Sequence, residues 1–551
     1  MHPTHVKAYL IALLVGSVTF VVRAQQTPPD LILFNGKVFT SNASDPYVEA
    51  LAIRGERIVA VGTTKQIAAL AGKQTRRIDL GGRTVIPGIN DAHDHIQVGP
   101  NAYELPIKSD NPSWQQISLA IATGAAKVEK GTWIVGEFGD SVLDDPQATR
   151  TVLDTLAPDD PILLETWTGH AALMNTAGLR KLGIREDEPS PEGGVYARNP
   201  SDGRLTGWAF EFAKFRIGRR FSELVSEQEA TTQLNQFFAQ AARWGITTVQ
   251  NMADPITQDR CVALFEKAPP PIRVRVMWFG LTSSLGRITN EGHAQPAPSL
   301  PLVTVSGTKW VLDGTPIERS AAMRKPYADR PDTSGTLNFS QSEMEDILRE
   351  SLKSGDQLMV HVVGDRTTAT FLNAMNATGG NAVWSNRRVR IEHGDGIMPD
   401  LVAIVHDLGI IVVENPTHLT LHEVFIKRFG IDLASQVQPL RSLINAGIPL
   451  ALGSDGPNNP YLNIMLATTY SGNPHEAITR EQAVVAYTLI SAYAEFAEKD
   501  KGSLEPGKLA DLAVLSQDIF KVSADALPKT ESVLTLVGGK VIYDARVIGS
   551  Q

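Results

Sequence analysis

His93 and His95 stand two apart in Pro87-Gly88-Ile89-Asn90-Asp91-Ala92-His93-Asp94-His95. In an extended segment, residues two apart point the same way, so both imidazoles can face one metal ion. Such a pair is common by chance and carries little alone. Three further residues add weight. His361 ends the apolar run 357–361, His393 ends 389–393, and Asp455 closes Leu450-Ala451-Leu452-Gly453-Ser454. Each singly has a bland reading, as a core histidine bonded to a carbonyl or an aspartate capping a helix. All of them at the carboxyl ends of successive strand-like runs is a different matter, because catalytic groups of parallel-strand barrels converge on that face. Imidazole and carboxylate donors without thiolate suit zinc or a similar borderline divalent ion.

The elements that must position these residues can be read from hydrophobic pattern. Eight strand-like runs, at 84–86, 245–249, 273–277, 308–312, 357–362, 389–393, 409–413 and 449–453, alternate with helical stretches. That pattern predicts α/β architecture, a (β/α)8 TIM-type barrel over 84–500, although counting alone also admits a doubly wound sheet. The stretch 97–244 is too long for one crossover and should hold an inserted subdomain. At both chain ends, short alternating segments carry Asn35-Gly36, Arg54-Gly55 and Gly538-Gly539 at turn positions and read as hairpins. Residues 25–83 and 501–551 are therefore expected to make one small β-sandwich together.

Bulk properties narrow the partners. A net charge of -9 with no long basic run argues against a nucleic-acid or anionic-membrane surface. The single cysteine, Cys261, excludes an intrachain disulfide and a thiolate metal site, and its helical, apolar setting reads as core. At the N-terminus, Lys7 precedes an apolar run from Tyr9 to Val22, followed by Arg23-Ala24. The run is too short to span a bilayer of roughly 30 Å. It fits a signal peptide over 1–24, which makes the expected mature protein soluble, off the membrane, and periplasmic or secreted.

The ordered set of motifs resembles the amidohydrolase superfamily, and within it the YtcJ-like metal-dependent hydrolases of amidohydrolase family 3, a group similar to N-substituted formamide deformylase. The signatures are Val85-Ile86-Pro87-Gly88 with His93 and His95, Gly169-His170-Ala171, Thr206-Gly207 with Glu211, Lys309 with Asp313-Gly314, His361 with Gly364-Asp365, Glu392-His393, Gly453-Ser454-Asp455, and the closing segment 502–512. The chain departs from relatives at Val362-Val363 and at Glu137-Phe138-Gly139-Asp140, neither of which touches the proposed ligands. The resemblance implies that CO2 carboxylates Lys309 into a bridging ligand, which a free lysine near pKa ~10.4 cannot be. One or two divalent ions, zinc in the first instance, would be held by His93, His95, Lys309 and Asp455, and by Lys309, His361 and His393. A metal-bound water falls to a pKa of about 7, and the hydroxide attacks a carbonyl carbon with Asp455 as proton shuttle. His170 or His418 could serve the oxyanion. Glu211, a rival carboxylate, is placed at the substrate pocket, and His422 is read as structural. Asp313 and Asp365 are expected to hold loops or orient metal-site histidines.

The function implied is hydrolysis of a non-peptide carbon–nitrogen bond in a small molecule, with a homodimer as the assembly considered. The alternatives are a mononuclear-metal deaminase or esterase of the same superfamily, or a non-catalytic binding protein on the same barrel. Lys309 speaks against the deaminase, and the full ligand set against the binding protein. Tyr327, Arg319, Phe425 and Trp208 are the side chains expected to shape the pocket, with Tyr327 at the substrate.

Overall fold

The computed structural model describes residues 27–289, 292 and 296–549, and the expected signal peptide lies outside them. Eight parallel strands form the central sheet: β1 (Ile89–Asp94), β2 (Ile246–Ala253), β3 (Arg273–Phe279), β4 (Val303–Val311), β5 (Leu358–Val362), β6 (Arg390–His393), β7 (Ile411–Glu414) and β8 (Leu450–Leu452). They pair in sequence order. Beyond β8 the chain comes back against β1: the Asp455 amide donates to the His93 carbonyl (2.9 Å), and the Ser454 amide donates to Asp91 Oδ1 (2.9 Å). Gly453 permits that approach, since a Cβ there would lie 2.5 Å from the His93 Cβ. The TIM-type barrel is thus the fold. Its helices sit outside, and two of the longest, Glu227–Arg243 and Gln341–Ser354, start from capping boxes built on Ser226 with Glu229 and Ser340 with Glu343.

One expected barrel strand belongs elsewhere. Thr84–Pro87 pairs with Lys37–Phe39 and Leu512–Leu515 in the terminal domain, and the first barrel strand is Ile89–Asp94 just beyond Pro87-Gly88. The polar sequence Asn-Asp-Ala-His-Asp hides that strand, because its side chains serve a site instead of an apolar core.

Both chain ends build the separate sheet domain. A four-stranded sheet holds Leu31–Phe34, Ala50–Arg54, Arg57–Gly62 and Arg76–Asp79, and a six-stranded one joins N-terminal strands to Leu512–Leu515, Ser532–Val537 and Lys540–Asp544. Leu33, Ile53 and Ile78 of the first share one buried cluster with Val38, Val85 and Leu512 of the second. The Arg54-Gly55 and Gly538-Gly539 turns close hairpins as read. Asn35-Gly36 does not: it passes the chain from one sheet to the other, with Asn35 at φ 58°.

Between β1 and β2 lies a second αβ unit. Its sheet orders Gly194–Arg198, Leu205–Glu211, Ala171–Met174, Ile162–Thr166, Trp133–Phe138 and Ala102–Glu104 side by side. This insert is latched to the barrel loops by charge. Arg428, fully buried, pairs with Asp140 of the insert (3.1 Å) and with Asp329, while Arg319 bridges Asp144 (2.7 Å) and Asp329 (2.8 Å).

Candidate metal centre

The carboxyl ends of the barrel strands open into a cavity of about 370 Å³. His93, His95, Lys309, His361, His393 and Asp455 all line it. The Nε2 atoms of His93 and His95 lie 3.2 Å apart, and Asp455 Oδ1 is 3.6 Å from the first and 3.3 Å from the second. Their other ring nitrogens are already engaged. His93 Nδ1–H donates to Glu392 Oε2 (2.7 Å), and His95 Nδ1–H donates to Asp254 Oδ1 (2.6 Å). With Nδ1 carrying the hydrogen, the neutral form of each ring presents a lone pair at Nε2, as a metal ligand must. His361 Nε2 and His393 Nδ1 are buried with no hydrogen-bond partner. An orphaned buried nitrogen costs about 1–3 kcal/mol. Two of them on residues of one cavity fit cation ligation, and the donor set fits a divalent ion.

The electrostatics differ between the rings of His93 and His95, and His95 must give up its Nε2 proton to take an ion. Burial, with Lys309 nearby, lowers His93 to about 4, so it is neutral at physiological pH. Burial would depress His95 too, but Asp254 overrides it and carries the imidazole up to about 9. Burial, offset only in part by Glu392 and Asp455, brings Lys309 down to about 8. Burial works to raise Asp455, yet the surrounding His93, His95 and His418 hold its carboxyl below the usual range. Backbone strain gathers here as well: Glu211, His393 and Asp455 have φ of 51°, 72° and 49°. Such conformations cost on the order of 1–3 kcal/mol and persist where the surroundings enforce them.

His418 and His170 also line the cavity. His418 Nε2 lies 3.6 Å from Asp455 Oδ2, and its ring stacks on His393 (5.2 Å between centroids). It can therefore join His393 and Asp455 as a ligand group, whereas the sequence reading preferred it as a pocket residue over a metal pair with His422. His170 comes from the insert, its ring 4.7 Å from that of His361. Glu211 accepts its Nδ1–H (2.9 Å), and this carboxylate, overriding the effect of burial, raises the His170 pKa. Glu211 is thus a partner of His170, 8% exposed, and is absent from the cavity wall.

The expected pocket aromatics lie elsewhere. Tyr327 is buried with its hydroxyl donated to the Ala321 carbonyl (2.7 Å), so it supports a loop and does not face a substrate. Trp208 donates to the Ala148 carbonyl (2.9 Å), Phe425 sits in a core cluster, and Arg319 is spent on Asp144 and Asp329. Phe215, Phe237, Phe279, Trp167 and Leu421 supply most of the apolar lining of the cavity. Asp313 and Asp365 hold loops: Asp313 accepts from the amides of Ala322, Val363 and Gly364, and Asp365 from that of Arg324. His422 does not line the cavity, and Cys261 is core.

Comparison with known proteins completes the picture. Residues 76–543 match the model of a family described as the amidohydrolase family. The chain is 28% identical over 547 residues to Protein LONG AFTER FAR-RED 3 of Arabidopsis thaliana, covering 94% of this chain and 93% of that protein. It is 26% identical to N-substituted formamide deformylase of Arthrobacter pascens, covering 94% and 98%. Among solved structures, a metal-dependent hydrolase of uncharacterised role from Pyrococcus horikoshii superposes with a TM-score of 0.69 at 22% identity, over 90% of this chain and 99% of that one.

Proposed function

Because this chain belongs to the amidohydrolase family, we propose that it hydrolyses a non-peptide carbon–nitrogen bond, an amide first, in a small molecule. The observation that carries this reading is the convergence of ligand atoms on one cavity: the Nε2 atoms of His93 and His95 with Asp455, and the unpartnered Nε2 of His361 and Nδ1 of His393. His93, His95 and Asp455 would hold one ion, and His361 and His393 a second, with Lys309 as the carboxylated bridge. Zinc is the ion proposed, and when bound it supplies Lewis-acid polarisation of a carbonyl and a lower pKa for water.

The protein's own groups do the rest. Asp455, kept as a carboxylate by its histidine neighbours, takes the proton of the attacking water and returns it to the departing amine. His170, whose pKa Glu211 raises, would in its protonated form donate to the oxygen that gains charge as the carbonyl carbon becomes tetrahedral. The aromatic walls exclude water and admit an apolar substituent. The test is metal analysis of purified protein, paired with turnover of a panel of N-formyl and N-acyl amines, with esters and heterocyclic amines as the competing classes. One or two equivalents of divalent ion and turnover of an amide are expected. Protein without a divalent ion, still inert after zinc and bicarbonate are supplied, would sink the proposal.

A further inference from the structure

Barrel interiors of this kind are ordinarily filled by layers of branched apolar side chains. Here a polar column descends from the metal centre. His93 Nδ1–H donates to Glu392 Oε2 (2.7 Å). Arg390 donates from Nε to Glu392 Oε1 (2.7 Å) and from Nη2 to Oε2 (3.0 Å), so both carboxylate oxygens are occupied. The same guanidinium reaches strand β2 through Gln250 Oε1 (2.6 Å) and strand β1 through the Ala92 carbonyl (2.6 Å). Gln250 passes the chain on to Asn90 Oδ1 (3.2 Å), Asn90 to Glu495 (2.7 Å), and Glu495 pairs with Lys501 (2.7 Å). Arg390, Glu392 and Gln250 have no exposed surface.

We propose that Arg390 is a positioning residue of the metal centre, acting through Glu392 to fix the ring of His93. The inference rests on the metal-dependent reading above. Its logic is geometric. Glu392 accepts three N–H donors on two oxygens, and one of them is the hydrogen that leaves His93 Nε2 free to ligate. Only a planar group with N–H donors on three nitrogens can brace that carboxylate while also tying β1, β2 and β6 together. A lysine carries the charge but cannot reproduce the fork. The alanine carbonyl that Arg390 grips belongs to the residue before His93, so side chain and backbone of the ligand are set by one group.

The experiment measures zinc affinity by competition with a chromophoric chelator and the visible spectrum of the cobalt(II)-loaded protein, alongside melting temperature. Arg390→Lys should weaken zinc binding about 10–100-fold, the range found for partners of ligating histidines, and should move the cobalt bands. Glu392→Gln should do the same, because an amide offers one acceptor oxygen where three donors must be met. The double variant should bind no more weakly than Glu392→Gln alone. If Arg390→Lys does not fold, Glu392→Gln, nearly isosteric, decides the matter. Variants that melt lower but keep wild-type zinc affinity and cobalt spectrum would overturn the positioning role while leaving the metal reading intact. A wild-type protein that takes up no divalent ion would overturn both.

Discussion

Lys309 offers the sharpest test of the bridging ligand, because carbamate formation needs the neutral amine. The structure brings its pKa down to about 8 from 10.5, through burial offset in part by Glu392 and Asp455. At pH 7 about 10% of such an amine is neutral, against roughly 0.03% for an ordinary lysine, a gain of about 300-fold in the reactive form. Zinc uptake by the apo-protein should therefore depend on dissolved CO2. At fixed CO2, its rate should climb about tenfold between pH 6 and 7 and flatten above 8, following the neutral fraction of the lysine. Carbon-13 bicarbonate should yield a carbamate resonance that Lys309→Met lacks, and that variant should lose one metal equivalent or all binding. The sign for stability follows from the same shift. Between about pH 8 and 10.5 the unfolded chain binds a proton that the folded chain does not, so this residue makes the apo-fold gain stability as pH rises through that window. Uptake that ignores CO2 and pH, or a Lys309→Met protein with its full metal complement, would refute the bridge. Glu211, bonded to His170 and off the cavity wall, would be a poor substitute.

Two other substitutions probe the frame around the centre. Gly453→Ala puts a Cβ 2.5 Å from both Cβ and N of His93, so it should cost on the order of 1–3 kcal/mol and weaken zinc binding without replacing a ligand. Unchanged melting and zinc titration would show that the closing strand yields more than described. Arg428→Met takes a buried partner from Asp140, which keeps Lys427 and Asn111, leaves the Pro316 and Ile317 carbonyls without their guanidinium donor, and opens the latch between insert and barrel. A loss of about 3–5 kcal/mol in urea unfolding is expected, and a change below ~1 kcal/mol would mean that other contacts hold the insert.

Much of the site was legible because its residues punctuate apolar strands. His361 follows Leu358-Met359-Val360, Asp455 comes just after Leu450-Ala451-Leu452, and His393 ends a short run that holds Val389 and Ile391, and a reactive side chain at such a place stands out against the pattern. The supporting acids did not stand out. Glu392 looks like one more polar residue in a strand, and Asp254 like a loop residue. Only the fold brings them to 2.7 Å from His93 and 2.6 Å from His95. A signal was available for Glu392, since a strand buried on both faces rarely spends two places on Arg and Glu unless they pair. The pocket wall failed for another reason. Trp208 and Trp167 belong to the same insert, and no sequence period tells that the first bonds Ala148 while the second lines the cavity. The slip at Thr84–Pro87 has the same root: the true first strand is polar because it carries the site.

The way the chain closes on itself has a consequence for how it is made. Pro87 pairs with Leu512, and Val85 with Val514, so the six-stranded sheet of the terminal domain needs the last part of the polypeptide before it can be completed. Contacts of such sequence separation are the slowest to form. The N-terminal strands must therefore wait through synthesis of the whole barrel with an edge unpaired, an invitation to wrong partners. A ribosome-bound chain halted before Leu512 would be the form most in need of a chaperone, and loss of the last three strands should harm yield far more than it harms the distant catalytic cavity.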